Sequence, residues 1–80
     1  MKIQLVLYGI ARDIIGASNL ELNLEKSANV SDLLSRVRME YPEFGKLTSL
    51  LVAVNDEYAE QDQRLKPDDE IVLIPPVSGG

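Results

Sequence analysis

The chain switches hydrophobic period partway along and then switches back, and this limits its fold more than any other feature. Between Lys2 and Tyr8 the apolar Ile3, Leu5 and Leu7 alternate with Lys2, Gln4 and Val6, the period of two expected of a strand with one buried face. Leu20, Leu22 and Leu24 alternate in the same way with Asn19, Glu21 and Asn23, which predicts a second strand antiparallel to the first. Val30, Leu33, Leu34, Val37 and Tyr41 then recur at helical spacing as one apolar stripe. Leu50 to Val54 and Glu70 to Ile74 return to short apolar runs of strand length. One principal helix with four or five strands predicts an α+β roll with a single core, since 80 residues do not suffice for two.

Local signals set the boundaries. Asn29 is placed to cap the principal helix, with Asp32 supplying the acidic group favoured in its first turn, and Pro42 stops it just after Tyr41. Gly9 closes the first strand, and Ile10 to Ile15, closed by Gly16, predicts one or two helical turns. Phe44, the one phenylalanine, reads as a core plug in an irregular link. The continuous apolar run Leu50 to Val54 predicts a strand buried on both faces. Asn55-Asp56 is a turn signal, Glu57 to Glu60 a short edge strand, and Lys66-Pro67-Asp68-Asp69 a second turn. This order of elements is that of the β-grasp, or ubiquitin-like, roll, a mixed sheet in which the first and last strands are central, parallel neighbours. Residues 1–74 form the domain on this reading, and residues 75–80 an extended tail.

Composition removes most catalytic classes. The chain has no histidine, which takes away imidazole bases, Ser-His-Asp triads and the commonest zinc ligand, and no cysteine, which takes away disulfides and thiol nucleophiles. No glycine-rich phosphate loop is present, and the carboxylates at Asp56, Glu57, Glu60 and Asp62 do not match a calcium loop, so no metal or bound cofactor is expected. No apolar run approaches the roughly 18 residues of a membrane span, and the start has no signal-peptide pattern, so the expected location is the cytoplasm, with no membrane partner.

The net charge of −5 is unevenly placed. Seven acidic residues between Asp56 and Glu70 face only Arg64 and Lys66, while the rest of the chain balances six acids with six bases. The plain reading is a solvated hairpin face, and the functional one a surface that steers toward a basic partner. Either reading disfavours nucleic acid, whose phosphates require a basic patch.

The chain ends Pro75-Pro76-Val77-Ser78-Gly79-Gly80. Consecutive prolines favour an extended conformation, and glycine lacks the Cβ that would clash in a narrow channel of another protein. Six residues reach roughly 20 Å at about 3.3 Å each. The remaining reactive handle is thus the terminal carboxylate of Gly80. A carboxylate is a poor acyl donor until activated, for example as a mixed anhydride with AMP. Attack by a sulfur donor then gives a thiocarboxylate, and attack by a lysine amine an isopeptide.

The run Tyr8-Gly9-Ile10-Ala11-Arg12-Asp13-Ile14-Ile15-Gly16, the run Val54-Asn55-Asp56-Glu57-Tyr58, the stretch Asp69-Glu70-Ile71-Val72 and above all the ending Pro75 to Gly80 resemble the MoaD sulfur-carrier family, the small subunits of molybdopterin synthase. The resemblance spans essentially the whole chain. It departs from the family at Tyr8-Gly9, where relatives carry Phe-Phe or Phe-Ala, at Ile74, often aromatic, and at Asp68-Asp69-Glu70, usually Gly-Asp-Glu.

The resemblance implies that Gly80 is adenylated by a MoeB-like enzyme, becomes a C-terminal 1-thioglycine with sulfur from a sulfurtransferase, and enters the active site of a MoaE-like large subunit. There it donates sulfur to cyclic pyranopterin monophosphate in molybdenum cofactor biosynthesis, and catalytic side chains belong to the large subunit. Gly79, Ser78, Val77, Pro76 and Pro75 are then partner contacts, with Tyr8 and Ile74 at the strand ends. Arg12 matches the family's arginine and is the further contact, against a plain reading as a surface arginine. The alternatives are a thiamin-pathway carrier, a ubiquitin-like protein modifier, and a binding module whose terminus is inert.

Overall fold

The computed structural model describes residues 1–47 and 50–75. Five strands and two helices follow in the order β1 (Lys2–Leu7), α1 (Gly9–Ile15), β2 (Asn19–Asn23), α2 (Val30–Glu40), β3 (Leu51–Val54), β4 (Glu57–Tyr58) and β5 (Ile71–Ile74), with a 3-10 turn at Pro42–Lys46 after α2. The strands form one mixed sheet in the order β2-β1-β5-β3-β4. β1 pairs antiparallel with β2 and parallel with β5, while β3 runs antiparallel to both β5 and β4. The first and last strands are therefore inner, parallel neighbours, as the β-grasp order predicts.

The register sorts side chains onto two faces. Leu5 lies opposite Ile71 and Leu7 opposite Leu73, and Ile71 and Leu73 face Val54 and Val52 across the other seam. All six are buried, because successive strand residues point to opposite faces and these rows share the covered one. From the other layer Val30, Leu33 and Val37 of α2, together with Phe44 of the 3-10 turn, close the core with almost no exposure. Tyr41 meets Phe44 edge to face, their ring centroids 6.4 Å apart, the offset that the ring quadrupoles favour.

α2 begins where its sequence says. The Asp32 backbone N–H donates to Asn29 Oδ1 at 2.9 Å, and the Asn29 N–H donates to Asp32 Oδ2 at 2.9 Å, so two otherwise free amides are satisfied reciprocally. The segment before Lys66 lies against this end. The amides of Val30 and Ser31 donate to the carbonyls of Gln63 and Gln61, and the amide of Leu65 to that of Ala28, which sets Leu65 into the core.

Some expectations change. β3 is not buried on both faces: Val52 and Val54 are covered, but Leu51 is 51% exposed and Ala53 half-buried, because α2 covers one face of the sheet and nothing in the described chain covers the other. The edge strand is Glu57–Tyr58 and stops short of Glu60. The acidic segment is not one hairpin face. Asp56 and Glu57 sit at the β3–β4 turn, and the others lie along the connection to β5, where Asp69 is half-buried and serves the turn itself.

Candidate functional site

Because β1 and β5 are parallel and in register through Leu7 and Leu73, both strands leave the sheet at the same end. Tyr8 follows β1 as the extended residue that caps α1, and Ile74 is the last residue of β5. Gly9 opens α1 at φ 56°, a left-handed conformation that glycine enters without a Cβ penalty and that turns the chain sharply out of the strand. α1 closes on Gly16, whose left-handed backbone lets its amide donate to the Arg12 carbonyl at 2.8 Å. Pro75, half-buried, lies over this corner with its Cγ 3.7 Å from where a Cβ on Gly9 would sit.

The uncovered face of the sheet carries a continuous apolar row. Val6 pairs with Val72, Val72 with Ala53, and Ala53 with Tyr58, which crosses four strands. Leu51 opposite Ile74 adds to the same face nearer the end at which β1 and β5 stop. An open cavity of about 350 Å³ lies on this surface, lined by Tyr8, Ala53, Asp56, Tyr58, Glu70, Val72 and Ile74. Tyr8 is 59% exposed and Tyr58 73%, so two phenol rings stand in solvent beside two exposed carboxylates.

The turn bearing Asp56 is tied down. Asn55 and Asp56 both have positive φ, 52° and 71°, the pair of left-handed residues that joins two twisted strands by a two-residue turn. Asn55 Nδ2 donates to Asp69 Oδ1 at 3.0 Å, and its Oδ1 accepts from the Glu70 backbone N–H at 2.9 Å. Asp69 Oδ2 accepts from the Lys66 N–H at 2.7 Å. The β3–β4 turn and the entry to β5 are thereby one unit, which holds the backbones of Asp56 and Glu70 at one rim.

Of the residues singled out from sequence, the structure brings Tyr8 and Ile74 into one cavity and sets Pro75 against Gly9 at the same corner. Arg12 is exposed in the last turn of α1 and does not line that cavity. Pro76, Val77, Ser78, Gly79 and Gly80 lie outside the described residues. Tyr58, Ala53, Val72, Asp56 and Glu70 were not assigned to the site from sequence. The available signal was parity: in β5, Val72 and Ile74 occupy positions opposite in face to the core residues Ile71 and Leu73. Among the described residues no group of three or more acidic side chains is arranged to hold a metal, and no helix is long and apolar enough to cross a membrane.

Similarity to known proteins is full-length. The chain is 32% identical to the molybdopterin synthase sulfur carrier subunit of Dictyostelium discoideum, across 99% of this chain and 96% of that protein. Its fold matches the crystal structure of SAMP1 from Haloferax volcanii with a TM-score of 0.84 at 22% identity, over all of both chains. It also matches a chain of the complex of subunits 1 and 2 of the molybdopterin-converting factor from Helicobacter pylori, with a TM-score of 0.68 at 23% identity over all of both chains. These are β-grasp neighbours, and the resemblance to molybdopterin synthase small subunits read from the motifs is met by the curated relative. The ThiS family model matches residues 5–80, from the middle of β1 to the terminal glycine, and the chain belongs to the ThiS family.

Proposed function

We propose that the chain is a cytoplasmic sulfur carrier of molybdenum cofactor biosynthesis that works through its C-terminal Gly80 as the small subunit of a two-subunit synthase. The observation that carries the reading is the placement of β5. It is an inner strand, bonded to β1 on one side and β3 on the other, so the chain leaves the most firmly held part of the sheet at Ile74 with six residues still to run. The full-length relation to a sulfur carrier subunit supports it.

The chemistry is that implied by the resemblance to molybdopterin synthase small subunits. An ATP-using, MoeB-like partner activates the Gly80 carboxylate, joining it to AMP with release of pyrophosphate, and this chain, with no phosphate loop of its own, is the substrate of that step. The terminal sulfur of a sulfurtransferase persulfide then attacks the adenylated carbonyl, and AMP departs with the bridging oxygen. A thiol of the partner cleaves the resulting acyl disulfide, which leaves the thiocarboxylate on Gly80 and a disulfide on the partner. In the large subunit's active site the sulfur passes to cyclic pyranopterin monophosphate and an oxygen from water returns to Gly80. The folded body serves as handle and docking surface.

Intact mass spectrometry of the chain purified from cells tests this. The expected result is a species heavier by the mass difference between sulfur and oxygen, lost when the activating enzyme is absent. Isopeptide adducts on cellular lysines without that species would replace the carrier reading by the protein-modifier one.

A further inference from the structure

The cavity at the open sheet face combines two features that apolar packing alone does not call for. It is lined by the apolar Ala53, Val72 and Ile74, by two exposed tyrosines and by two exposed carboxylates, Asp56 and Glu70, with no lysine or arginine among the lining residues. Among the described residues neither carboxylate is in an ion pair; the pairs present are Lys2–Glu21 and Arg36–Glu40, on other elements. Asp69, by contrast, is fully engaged by Asn55 and the Lys66 amide, so the segment's acids divide into one that builds the turn and two that the turn presents. Aromatic faces attract cations, and carboxylates give the charge-assisted hydrogen bonds that fix them.

We propose that this face docks a surface of the large subunit that presents a lysine or arginine side chain, seated against Tyr8 and Tyr58 and paired with Asp56 and Glu70, with apolar groups beside it covering Val72 and Ile74. The inference rests on the proposed function for the existence of that partner, and adds what its surface must carry. Charge complementarity argues for it, since Asp56 and Glu70 line this cavity with no lysine or arginine beside them. Asn55 ties the β3–β4 turn to the backbone of Glu70, so the main chain that carries both acids is already ordered before binding.

The experiment is calorimetric titration of the full chain with the large subunit from the same genome, at low and at high sodium chloride. The double variant Asp56→Asn, Glu70→Gln removes both charges while asparagine still tolerates the left-handed backbone at position 56. It is expected to bind about tenfold or more weakly at low salt and to lose most of the wild-type salt dependence, with an unchanged melting temperature. The pair Glu25→Gln, Glu43→Gln makes the same change in net charge outside this cavity and is expected to bind as wild type does. Tyr58→Phe is expected to keep affinity and Tyr58→Leu to lose several-fold, since the ring face and not the hydroxyl meets the cation. Equal affinity and equal salt slope for wild type and the Asp56/Glu70 variant would overturn the inference and leave the carrier reading standing. Failure of the wild-type chain itself to bind the large subunit would overturn the carrier reading, and this inference with it.

Discussion

Pro75 rests over Gly9: its Cγ lies 3.7 Å from the place a Cβ would occupy, at ordinary contact distance, while Gly9 itself holds φ at 56°. The corner joining β1 to α1 is thus also the seat of Pro75, the residue that follows β5. Space permits a methyl group there, and the backbone resists it. Gly9→Ala is expected to destabilise the domain by about 1–2 kcal/mol in urea unfolding, the left-handed penalty for a residue with a Cβ. Gly45→Ala, where φ is not left-handed and nothing lies within 4 Å, is expected to be near neutral or slightly stabilising.

Asn55 does two separable things, holding φ at 52° and joining Asp69 to the Glu70 amide. Asn55→Gly keeps the first and loses the second; Asn55→Ala loses both. The expected order of stability is wild type, then glycine, then alanine, with the alanine variant down by about 2 kcal/mol from two hydrogen bonds and the conformational penalty together. Thermal unfolding of the three proteins checks the order.

The reciprocal bonds of Asn29 and Asp32 predict coupling at the start of α2. Asn29→Ala is expected to cost about 1 kcal/mol. A double-mutant cycle with Asp32→Ala should show that the two losses do not add, because each residue satisfies an amide of the other's turn.

The one-sided burial of β3 makes a contrast between neighbours. Leu51→Thr, on the open face, is expected to change stability by less than about 0.5 kcal/mol. Val52→Ala, facing α2, is expected to cost roughly 2 kcal/mol through lost burial and a residual cavity. Denaturant midpoints distinguish the two, and equal losses would show that the outer face is covered after all.

Removing Gly79 and Gly80 is expected to leave the melting temperature unchanged, because the core is complete at Leu73 and the described sheet ends at Ile74. The same truncation is expected to abolish molybdenum cofactor synthesis in a cell that depends on this chain.

Reading the residues in order recovers the parts of this molecule that depend on near neighbours. Asn29 and Asp32 are three apart, Pro42 ends the helix by its own geometry, and the Ile3-Leu5-Leu7 alternation follows from the pleat, so α2 and β1 are legible without any partner. The apolar run at β3 misled because valine, leucine and alanine look alike in sequence whether α2 covers them or not, and only Val52 and Val54 are covered.

The site depended on which strands meet. A ladder hydrogen bond is much the same whichever strand supplies it, so nothing local to Tyr58, Val72 or Tyr8 says that they share a surface. That was decided when β5 came to lie between β1 and β3, the arrangement that buries Leu5, Leu7, Ile71, Leu73, Val52 and Val54 together under α2 and leaves the opposite parity, with its tyrosines and acids, facing out. The sequence by itself determined the elements, and the tertiary structure decided what stands beside Tyr8 and Ile74 at the end of the two inner strands, because strand order is settled by burial summed over the whole sheet.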